Sequence, residues 1–391
     1  MFLIDKPYIS DFFKATIRDN NIPVIGTAEA SEFDLYPDTR VISEATAITA
    51  ISDRQYPCLY SNSENSIGWI AKQLAFSQLP GQIDLFKNKL KFRELTQSLF
   101  PEFYYQGITT QDLVKIKPDN VPLPFIIKPA VGFFSLGVHK VSALDEWDST
   151  VDSILQEIQQ IKEVFPAEVL DTSNYIIEQC IEGDEYAIDA YVDESGDTVI
   201  LGIFKHVFSS AEDVSDRVYI TSKEIIEENL DEFTGFLNTL SQFAGIRNFP
   251  LHVELRRDSN GLLLPIEVNP LRFGGMCTTA DATYMAYGFN PYLYYYQQNK
   301  PDWDHLLEGK ENKLFSIIVL DNSTGIPAGE IRSFDYEKLL TRFERPLELR
   351  KFDHSQYPLF GFLFTETRAD NFEELKSILH SDLSEYISLQ S

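Results

Sequence analysis

The sequence predicts an α/β protein that begins with a parallel β-sheet. Within the first hundred of its 391 residues, short apolar runs alternate with stretches that carry apolar residues at helical spacing. Strands separated by helices are typical of parallel sheets, because a parallel neighbour needs a crossover connection. Hydrophobic residues make up 43% of the chain and aromatic residues 13%, so the chain can bury a sizeable core. At about 150 residues per domain, its length predicts two to three domains.

The individual elements follow from local patterns. In the N-terminal part they are strands at 2–5, 22–25 and 57–60 and helices at 9–20, 63–76 and 84–100. Further along they are strands at 125–128, 138–141, 175–178, 186–192 and 199–204, helices at 145–164 and 223–244, and a hairpin at 251–268. The last part alternates again, with strands at 314–320, 347–353 and 358–366 and helices at 335–343 and 371–387. Ser10 is the expected N-cap of the first helix.

The charge balance excludes two classes of partner. The chain has 33 lysines and arginines against 60 aspartates and glutamates, a formal net charge of −27. Phosphate-rich surfaces require clustered basic residues, so nucleic acids and membrane surfaces are not expected partners. The three cysteines form no CxxC pair, and neither a signal peptide nor a long apolar span is evident. We therefore expect a cytoplasmic protein.

One predicted hairpin is the most informative part of the sequence. Two alternating apolar runs flank Asn260-Gly261, the strongest short-range signal for a two-residue type I′ turn. With that turn, Glu254 lies opposite Glu267 and His252 lies opposite Asn269. Because side chains alternate along a strand, all four then share one face.

Two carboxylates in this arrangement need a compensating group. Opposed side chains in a sheet have Cβ atoms about 5 Å apart, and at an effective dielectric constant of about 20 their charges repel by roughly 3 kcal/mol. Carboxylate and amide oxygens are ligands that Mg²⁺ takes while it keeps waters or phosphate oxygens. We therefore predict a metal site at Glu254, Glu267 and Asn269. The alternative is an exposed hairpin with two solvated acids.

Two further segments carry weaker signals. Lys128 ends an apolar strand beside the glycine-bearing loop 132–137, where it can meet phosphate as a point charge. Glycines and free N–H groups in such a loop can also surround an anion, although an ordinary hairpin has the same pattern. Residues 178–181 end the next strand, and Glu185 follows. Backbone groups there can pair with an adenine edge and the acid with ribose hydroxyls, but taken alone this is equally an acid-rich turn.

In order and spacing, these segments resemble the ATP-grasp superfamily over about half of the chain. The helix beginning Asn88-Lys89 looks like the one that carries the first ATP lysine, and the strand 125–128 resembles the one that carries the second. The loop 132–138 is similar to the phosphate-covering loop. Residues 178–189 resemble the adenine hinge with its ribose-binding acid, and the acidic hairpin resembles the magnesium-binding hairpin.

The resemblance implies roles for individual residues. The implied ATP contacts are Lys89, Lys128, Ser135, Gly137, Glu178, Gln179, Ile181 and Glu185, and the implied ligands of Mg²⁺, or of Mn²⁺ in its place, are Glu254, Glu267 and Asn269. Lys128 and Arg272 are the implied catalytic residues, with Arg272 holding the γ-phosphate or an acyl phosphate. This sequence departs from the usual pattern twice: the Asn-Pro-Arg motif is one residue longer, and Phe133-Phe134 stands where members carry small residues.

The implied organisation has four parts. They are a Rossmann-like pre-grasp domain at 1–84, a linker helix and lid at 85–200, a catalytic subdomain at 201–312 and a small C-terminal α/β domain at 313–391. A homodimer is a candidate assembly.

The implied activity is the ATP-dependent joining of a small-molecule carboxylate, such as an amino acid or short peptide, to an amine through an acyl phosphate. This reaction needs no side-chain nucleophile, in agreement with the lack of a GxSxG motif. Two other functions stay open: a kinase that phosphorylates a hydroxyl, and a non-catalytic ATP-binding scaffold or sensor.

Overall fold

The computed structural model describes residues 1–132, 137–161, 173–210, 213 and 215–390. Its mixed α/β architecture confirms the predicted fold class, with a parallel sheet first and a larger antiparallel sheet behind it. Within the described residues, no helix has the length and apolar character needed to cross a membrane.

The N-terminal part is a four-stranded parallel sheet with strand order β3-β2-β1-β4. Its strands are β1 (Phe2–Leu3), β2 (Val24–Ile25), β3 (Val41–Ile42) and β4 (Tyr60–Ser61), and its helices are α1 (Asp11–Asp19), α2 (Glu44–Ser52) and α3 (Ile67–Gln73). The Ser10 side chain accepts from the Phe13 N–H, so the predicted N-cap of α1 is confirmed. The elements β3 and α2 were not predicted.

Two helices, α4 (Leu79–Lys87) and α5 (Lys89–Thr96), connect this sheet to the next. The single helix predicted at 84–100 is therefore wrong. Asn88 interrupts it with an extended backbone, at φ −85° and ψ 103°, and caps the second helix.

The middle part is an antiparallel sheet with strand order β5-β8-β6-β7. It contains β5 (Tyr105–Thr109), α6 (Thr110–Leu113), β6 (Phe125–Pro129), β7 (His139–Val141), α7 (Trp147–Ile161) and β8 (Asn174–Gln179). The apolar face of α7 forms a small core with this sheet, through Trp147, Val151 and Ile154. The predicted end of this helix at 164 lies outside the described residues.

The largest sheet has eight strands in the order β13-β12-β9-β10-β11-β14-β17-β16, with antiparallel pairing throughout. Its first elements are β9 (Asp184–Val192), β10 (Thr198–Val207), β11 (Val218–Thr221), α8 (Lys223–Ala244), β12 (Phe249–Arg257), β13 (Leu263–Pro270), α9 (Thr278–Tyr287), α10 (Pro291–Gln297) and α11 (Trp303–Leu306). The helix α8 has the predicted bounds, because Ser222 caps its start and Gly245, at φ 62°, ends it.

The remaining elements complete this sheet and add a two-stranded one, β15-β18. They are β14 (Lys313–Asp321), β15 (Ile331–Phe334), α12 (Tyr336–Leu340), β16 (Pro346–Lys351), β17 (Leu359–Arg368), α13 (Glu373–Leu379) and β18 (Ile387–Leu389). The helix predicted at 371–387 is wrong, since α13 ends at Leu379 and the chain returns as a strand. The strand β14 pairs with β11, so β14, β17 and β16 continue the sheet that contains β9 to β13. The division into four domains stays a prediction.

Candidate functional site

The hairpin of β12 and β13 brings the two predicted acids face to face. Glu254 pairs with Glu267, and His252 pairs with Asn269, as the sequence predicts. Asn269 is 3% exposed, whereas the side chains of Glu254 and Glu267 remain 32% and 23% exposed. The carboxylates therefore line a surface that a ligand can reach.

The predicted two-residue turn of this hairpin is wrong, yet the register is right, because two departures cancel. Asp258 and Leu262 close a three-residue loop in which Gly261 takes a φ of 84°. This longer loop displaces the neighbouring pairs by one residue. Ile266 is then left unpaired as a β-bulge, and the bulge restores the predicted pairing of the two acids.

The two carboxylates have opposite pKa shifts. Burial and the neighbouring Glu267 raise the pKa of Glu254 well above its usual range. Burial would also raise the pKa of Glu267, but the ammonium groups of Lys89, Lys87 and Lys128 outweigh burial and lower it. Lys89 Nζ lies 3.2 Å from Glu267 Oε2. A divalent ion beside the pair would favour the ionised form of both acids.

The donor set at the hairpin fits magnesium. Two carboxylates and the Asn269 amide are hard oxygen donors that leave room for phosphate oxygens and waters. Across the described ranges, no three His, Cys, Asp or Glu side chains come together as an all-protein metal site requires. The arrangement therefore suits an ion that shares its coordination with a substrate.

A break between two helices sets the position of Lys89. Asn88 Oδ1 accepts from the N–H groups of Leu90 and Lys91, at 3.1 and 3.3 Å, and so caps α5. The Lys89 N–H donates to the Ala130 carbonyl at 2.8 Å, just after β6. The first turn of α5 is thereby tied to the strand that carries the second lysine.

If Lys89 contacts ATP, as the resemblance implies, removing this cap should weaken nucleotide binding as well as the helix. We expect Asn88→Ala to cost about 1 kcal/mol of stability and to raise the dissociation constant for magnesium ATP, measured by calorimetry, because Lys89 is in the first turn of α5. Ser43→Ala is the matched control, since Ser43 caps α2 in the same way, through the Thr46 N–H. Equal nucleotide affinity of the two variants would contradict the role given to the cap.

Lys128 belongs to a buried ion cluster. Its Nζ lies 2.5 Å from Glu178 Oε1, and Arg93 Nε lies 2.7 Å from Glu178 Oε2. All three residues are at most 6% exposed. Burial would raise the pKa of Glu178, but the two cations outweigh it and lower the pKa to about 2. Arg93 also donates to the Pro265 carbonyl at 2.7 Å, and so joins β8 to the acidic hairpin.

In the predicted hinge, residues 178–181, most backbone groups are hydrogen-bonded to other parts of the protein. The N–H groups of Gln179 and Cys180 donate to carbonyls that directly precede β5 and β6, both at 3.0 Å. The Ile181 carbonyl accepts from Arg256 Nη1 at 2.5 Å. In the described part of the chain, no acceptor is found for the Ile181 N–H, which makes it the hinge donor best suited to pair with a nucleobase.

Glu185, the predicted ribose-binding acid, is 8% exposed and held by two neighbours. His206 Nδ1 lies 3.0 Å from Glu185 Oε1, and Arg256 Nε donates to Oε2 at 2.8 Å. Burial would raise the pKa of Glu185, but His206 and Arg256 outweigh it and lower the pKa. The acid is therefore fixed as a carboxylate beside the hinge.

Arg272 is placed by a residue of the N-terminal part. Its Nη2 and Nε lie 3.0 and 3.2 Å from Glu64 Oε1, and Lys87 Nζ lies 2.6 Å from Glu64 Oε2. Burial would raise the pKa of Glu64, but Arg272 and Lys87 outweigh it and lower the pKa. Burial and Glu267 raise the pKa of Glu254, and the charge of Arg272 opposes that rise.

The predicted phosphate loop is described only in part. Ser135, with Phe133, Phe134 and Leu136, lies outside the described residues. Gly137 has a φ of 71°, a conformation that favours glycine.

Sequence reasoning missed several residues that hold these groups in place. They are Glu64, Lys87, Arg93, His206 and Arg256. Their key contacts join residues that are 21 to 208 positions apart, such as Arg93 and Glu178, so no short motif could reveal the partner. The one available signal was the cluster of basic residues in the region 87–93.

Comparisons with known proteins identify a domain and the fold. Residues 121–280 match the family model of the ATP-grasp domain. No curated protein sequence matches the chain. Among solved structures, the L-amino acid ligase from Bacillus licheniformis aligns with a TM-score of 0.67 at 18% identity, over 100% of this chain and 98% of that one.

Two further solved structures have the same fold. The N5-carboxyaminoimidazole ribonucleotide synthetase from Thermotoga maritima aligns with a TM-score of 0.61 at 12% identity, over 100% of this chain and 99% of that one. The biotin carboxylase domain of the Hydrogenobacter thermophilus 2-oxoglutarate carboxylase, solved as a dimer with MgADP, ADP and bicarbonate, aligns with a TM-score of 0.61 at 13% identity, over 100% and 90% of the chains.

Proposed function

Because the chain contains an ATP-grasp domain, we propose that it is an ATP-dependent ligase that joins a small-molecule carboxylate, such as an amino acid or short peptide, to an amine. One observation carries the proposal: two opposed carboxylates and an amide share one face, and a lysine from a distant helix contacts one of them. This combination suits a metal-bound polyphosphate. The similarity to a solved L-amino acid ligase supports the same substrate class.

The reaction we propose has two steps. A carboxylate oxygen of the first substrate attacks the γ-phosphorus, the bond to the β-phosphate oxygen breaks, and ADP leaves. The amine nitrogen of the second substrate then attacks the acyl phosphate carbon, phosphate leaves, and the amine releases a proton. Magnesium on Glu254, Glu267 and Asn269 would offset charge on the phosphates.

The side chains of this chain then have separate tasks. Lys89 and Lys128 neutralise phosphate oxygens near the acidic hairpin, and Arg272 holds the transferred phosphoryl group. Glu64 orients the Arg272 guanidinium through its two contacts with that side chain. The Ile181 N–H and Glu185 bind the base and the ribose.

We place the amine and carboxylate between the N-terminal sheet and the segment after β13. In the order β3-β2-β1-β4, the strands β2 and β3 lie on one side of β1, and β4 lies on the other. Ligands of such sheets bind where the order switches sides, outside the carboxyl ends of the strands. Asn62 Nδ2 donates to the Asp5 and Tyr8 carbonyls and joins the two strand ends there. Glu64, three residues after β4, reaches Arg272 from the same edge.

A screen for ADP release tests the proposal directly. Purified protein is incubated with magnesium ATP and pairs of amino acids, hydroxy acids and small amines, and each substrate is omitted in turn as a control. We expect ADP to form only with a matched pair, together with a product whose mass equals both substrates minus one water.

Two results would contradict a ligase. A stable phosphorylated substrate without a condensation product would indicate a kinase. Binding of magnesium ATP without turnover for any pair would indicate an ATP-binding scaffold or sensor.

A further inference from the structure

Asp189 is a buried carboxylate to which the proposed chemistry gives no task. It lies in β9 and is 1% exposed. Asp189 Oδ1 accepts from His252 Nδ1 at 2.8 Å and from the Gly274 N–H at 3.0 Å, and Oδ2 accepts from Thr279 Oγ1 at 2.5 Å. These donors belong to β12, to the segment after β13 and to α9, so one side chain joins three elements.

The segment 271–279 is strained. Leu271, Met276 and Cys277 have φ values of 61°, 52° and 59°, in the left-handed region that non-glycine residues rarely adopt. Such residues cost about 1–3 kcal/mol each and persist only where surrounding contacts impose the conformation. A Cβ on Gly274 would lie 2.2 Å from Thr279 Oγ1, so only glycine allows this approach.

Two buried side chains, Asp189 and Arg350, hold this segment at different residues. Asp189 holds Gly274 and Thr279 against β9. Arg350 donates to the carbonyls of Met276 and Cys277, at 3.5 and 3.3 Å. Arg272 lies within the same strained segment, two residues before Gly274, so the position of its guanidinium depends on these contacts.

The third partner of Asp189 is His252, which lies in β12 of the acidic hairpin. Because a carboxylate only accepts, His252 Nδ1 carries a hydrogen, and the opposite ring nitrogen, Nε2, lies 3.7 Å from Glu254 Oε1. His252 also pairs directly with Asn269 in the ladder. A contiguous set of contacts therefore runs from the carboxylate pair through His252 and Asp189 to the segment that carries Arg272.

We propose that Asp189 is a positioning residue that couples the binding of a magnesium nucleotide at the acidic hairpin to the order of the segment 271–279. This inference rests on the proposed function for the identity of the ligand. When the nucleotide draws Glu254 toward the metal, His252 and Asp189 transmit the constraint to Gly274. The bound nucleotide thereby adds a constraint on the segment that carries Arg272, whose guanidinium Glu64 already contacts.

Hydrogen–deuterium exchange of the full-length protein tests this coupling, with and without magnesium ADP. In the wild type, we expect the nucleotide to slow amide exchange in 271–279 by about tenfold. Asp189→Asn has one acceptor oxygen fewer and cannot satisfy all three donors. We expect faster exchange in that segment and no protection by the nucleotide, while the dissociation constant for magnesium ADP changes less than about threefold.

Two further variants keep the test decisive. Thr279→Val preserves the side-chain shape but removes one donor, and it should lose the same protection even if Asp189→Asn folds poorly. Asp193→Asn is the matched control. Asp193 is also a buried acid, just after β9, at 9% exposure. Its contacts are with the Ser195 and Asp197 N–H groups and Lys300. This control should retain full protection.

The outcomes separate the two proposals. A wild-type protein that binds no magnesium nucleotide would refute the proposed function. A wild-type protein that binds it without protecting 271–279, or an Asp189→Asn variant that keeps the protection, would overturn the role of Asp189 alone. A uniform rise in exchange across the whole Asp189→Asn protein, with protection unchanged, would show a purely structural role.

Discussion

Replacing Glu267 with glutamine should lower ATP-dependent product formation by about three orders of magnitude, since a metal clamp stabilises developing charge by several kcal/mol and about 1.4 kcal/mol is a factor of ten. Glutamine has nearly the same shape but lacks the negative charge that opposes Lys89 and that, in our proposal, binds the ion. Steady-state ADP release measures the effect on turnover. Electron paramagnetic resonance of free Mn²⁺ measures the accompanying loss of metal affinity.

A second glutamate of the same sheet provides the control. Glu366 lies in β17, its side chain is 17% exposed, and its Oε2 lies 2.7 Å from Arg345 Nη1. Glu366→Gln removes a comparable ion pair away from the acidic hairpin and should leave turnover within about twofold of the wild type. If Glu267→Gln retained more than about a tenth of wild-type turnover, the assigned metal site would be wrong.

Replacing Glu178 with glutamine should destabilise the protein by about 3–5 kcal/mol at neutral pH, because it leaves the buried cations Lys128 and Arg93 without their shared partner. The free energy of unfolding in urea measures the loss. Glu182→Gln changes an exposed acid in the turn that follows and should stay within about 0.5 kcal/mol of the wild type.

The difference in the free energy of unfolding between wild type and Glu178→Gln should decrease at low pH. The pKa of Glu178 is about 2 in the folded protein, below its ordinary value of 4.5. The stabilisation from its ionised form is therefore complete above pH 4.5 and is lost as the pH falls toward 2. The two free energies of unfolding should therefore approach each other over that interval. A difference that stayed constant would mean that the ion cluster does not stabilise the fold.

The sequence predicts those parts of the site that depend on contacts between residues close together in the chain. The pairing of Glu254 with Glu267 was predictable, since alternation of side chains and a glycine turn fix a register over a short stretch. The predicted turn was nevertheless wrong, and Ile266 compensated by forming a bulge. Bulges depend on how a strand packs against its neighbours, so the sequence of the hairpin does not reveal them.

The interruption between α4 and α5 at Asn88 is a second feature that the local sequence pattern did not predict. Periodicity predicted one helix, because the apolar and basic residues continue at helical spacing across the position. In the fold, the Lys89 N–H instead meets the Ala130 carbonyl, more than forty residues further along the chain. That contact and the Asn88 cap favour two helices, and they direct the first lysine toward the acidic hairpin.

The sequence by itself determined the fold class, the face shared by the two acids, and the lysines in order along the chain, because each depends on local periodicity or on one hairpin. Only the tertiary structure decided which groups hold these residues. Glu64 orients Arg272, Arg93 and Lys128 share Glu178, and Asp189 joins the acidic hairpin to the segment with Arg272. Their partners are 50 to 208 residues apart in the chain, and spatial proximity over such separations comes from the packing of the sheets and leaves no local signature.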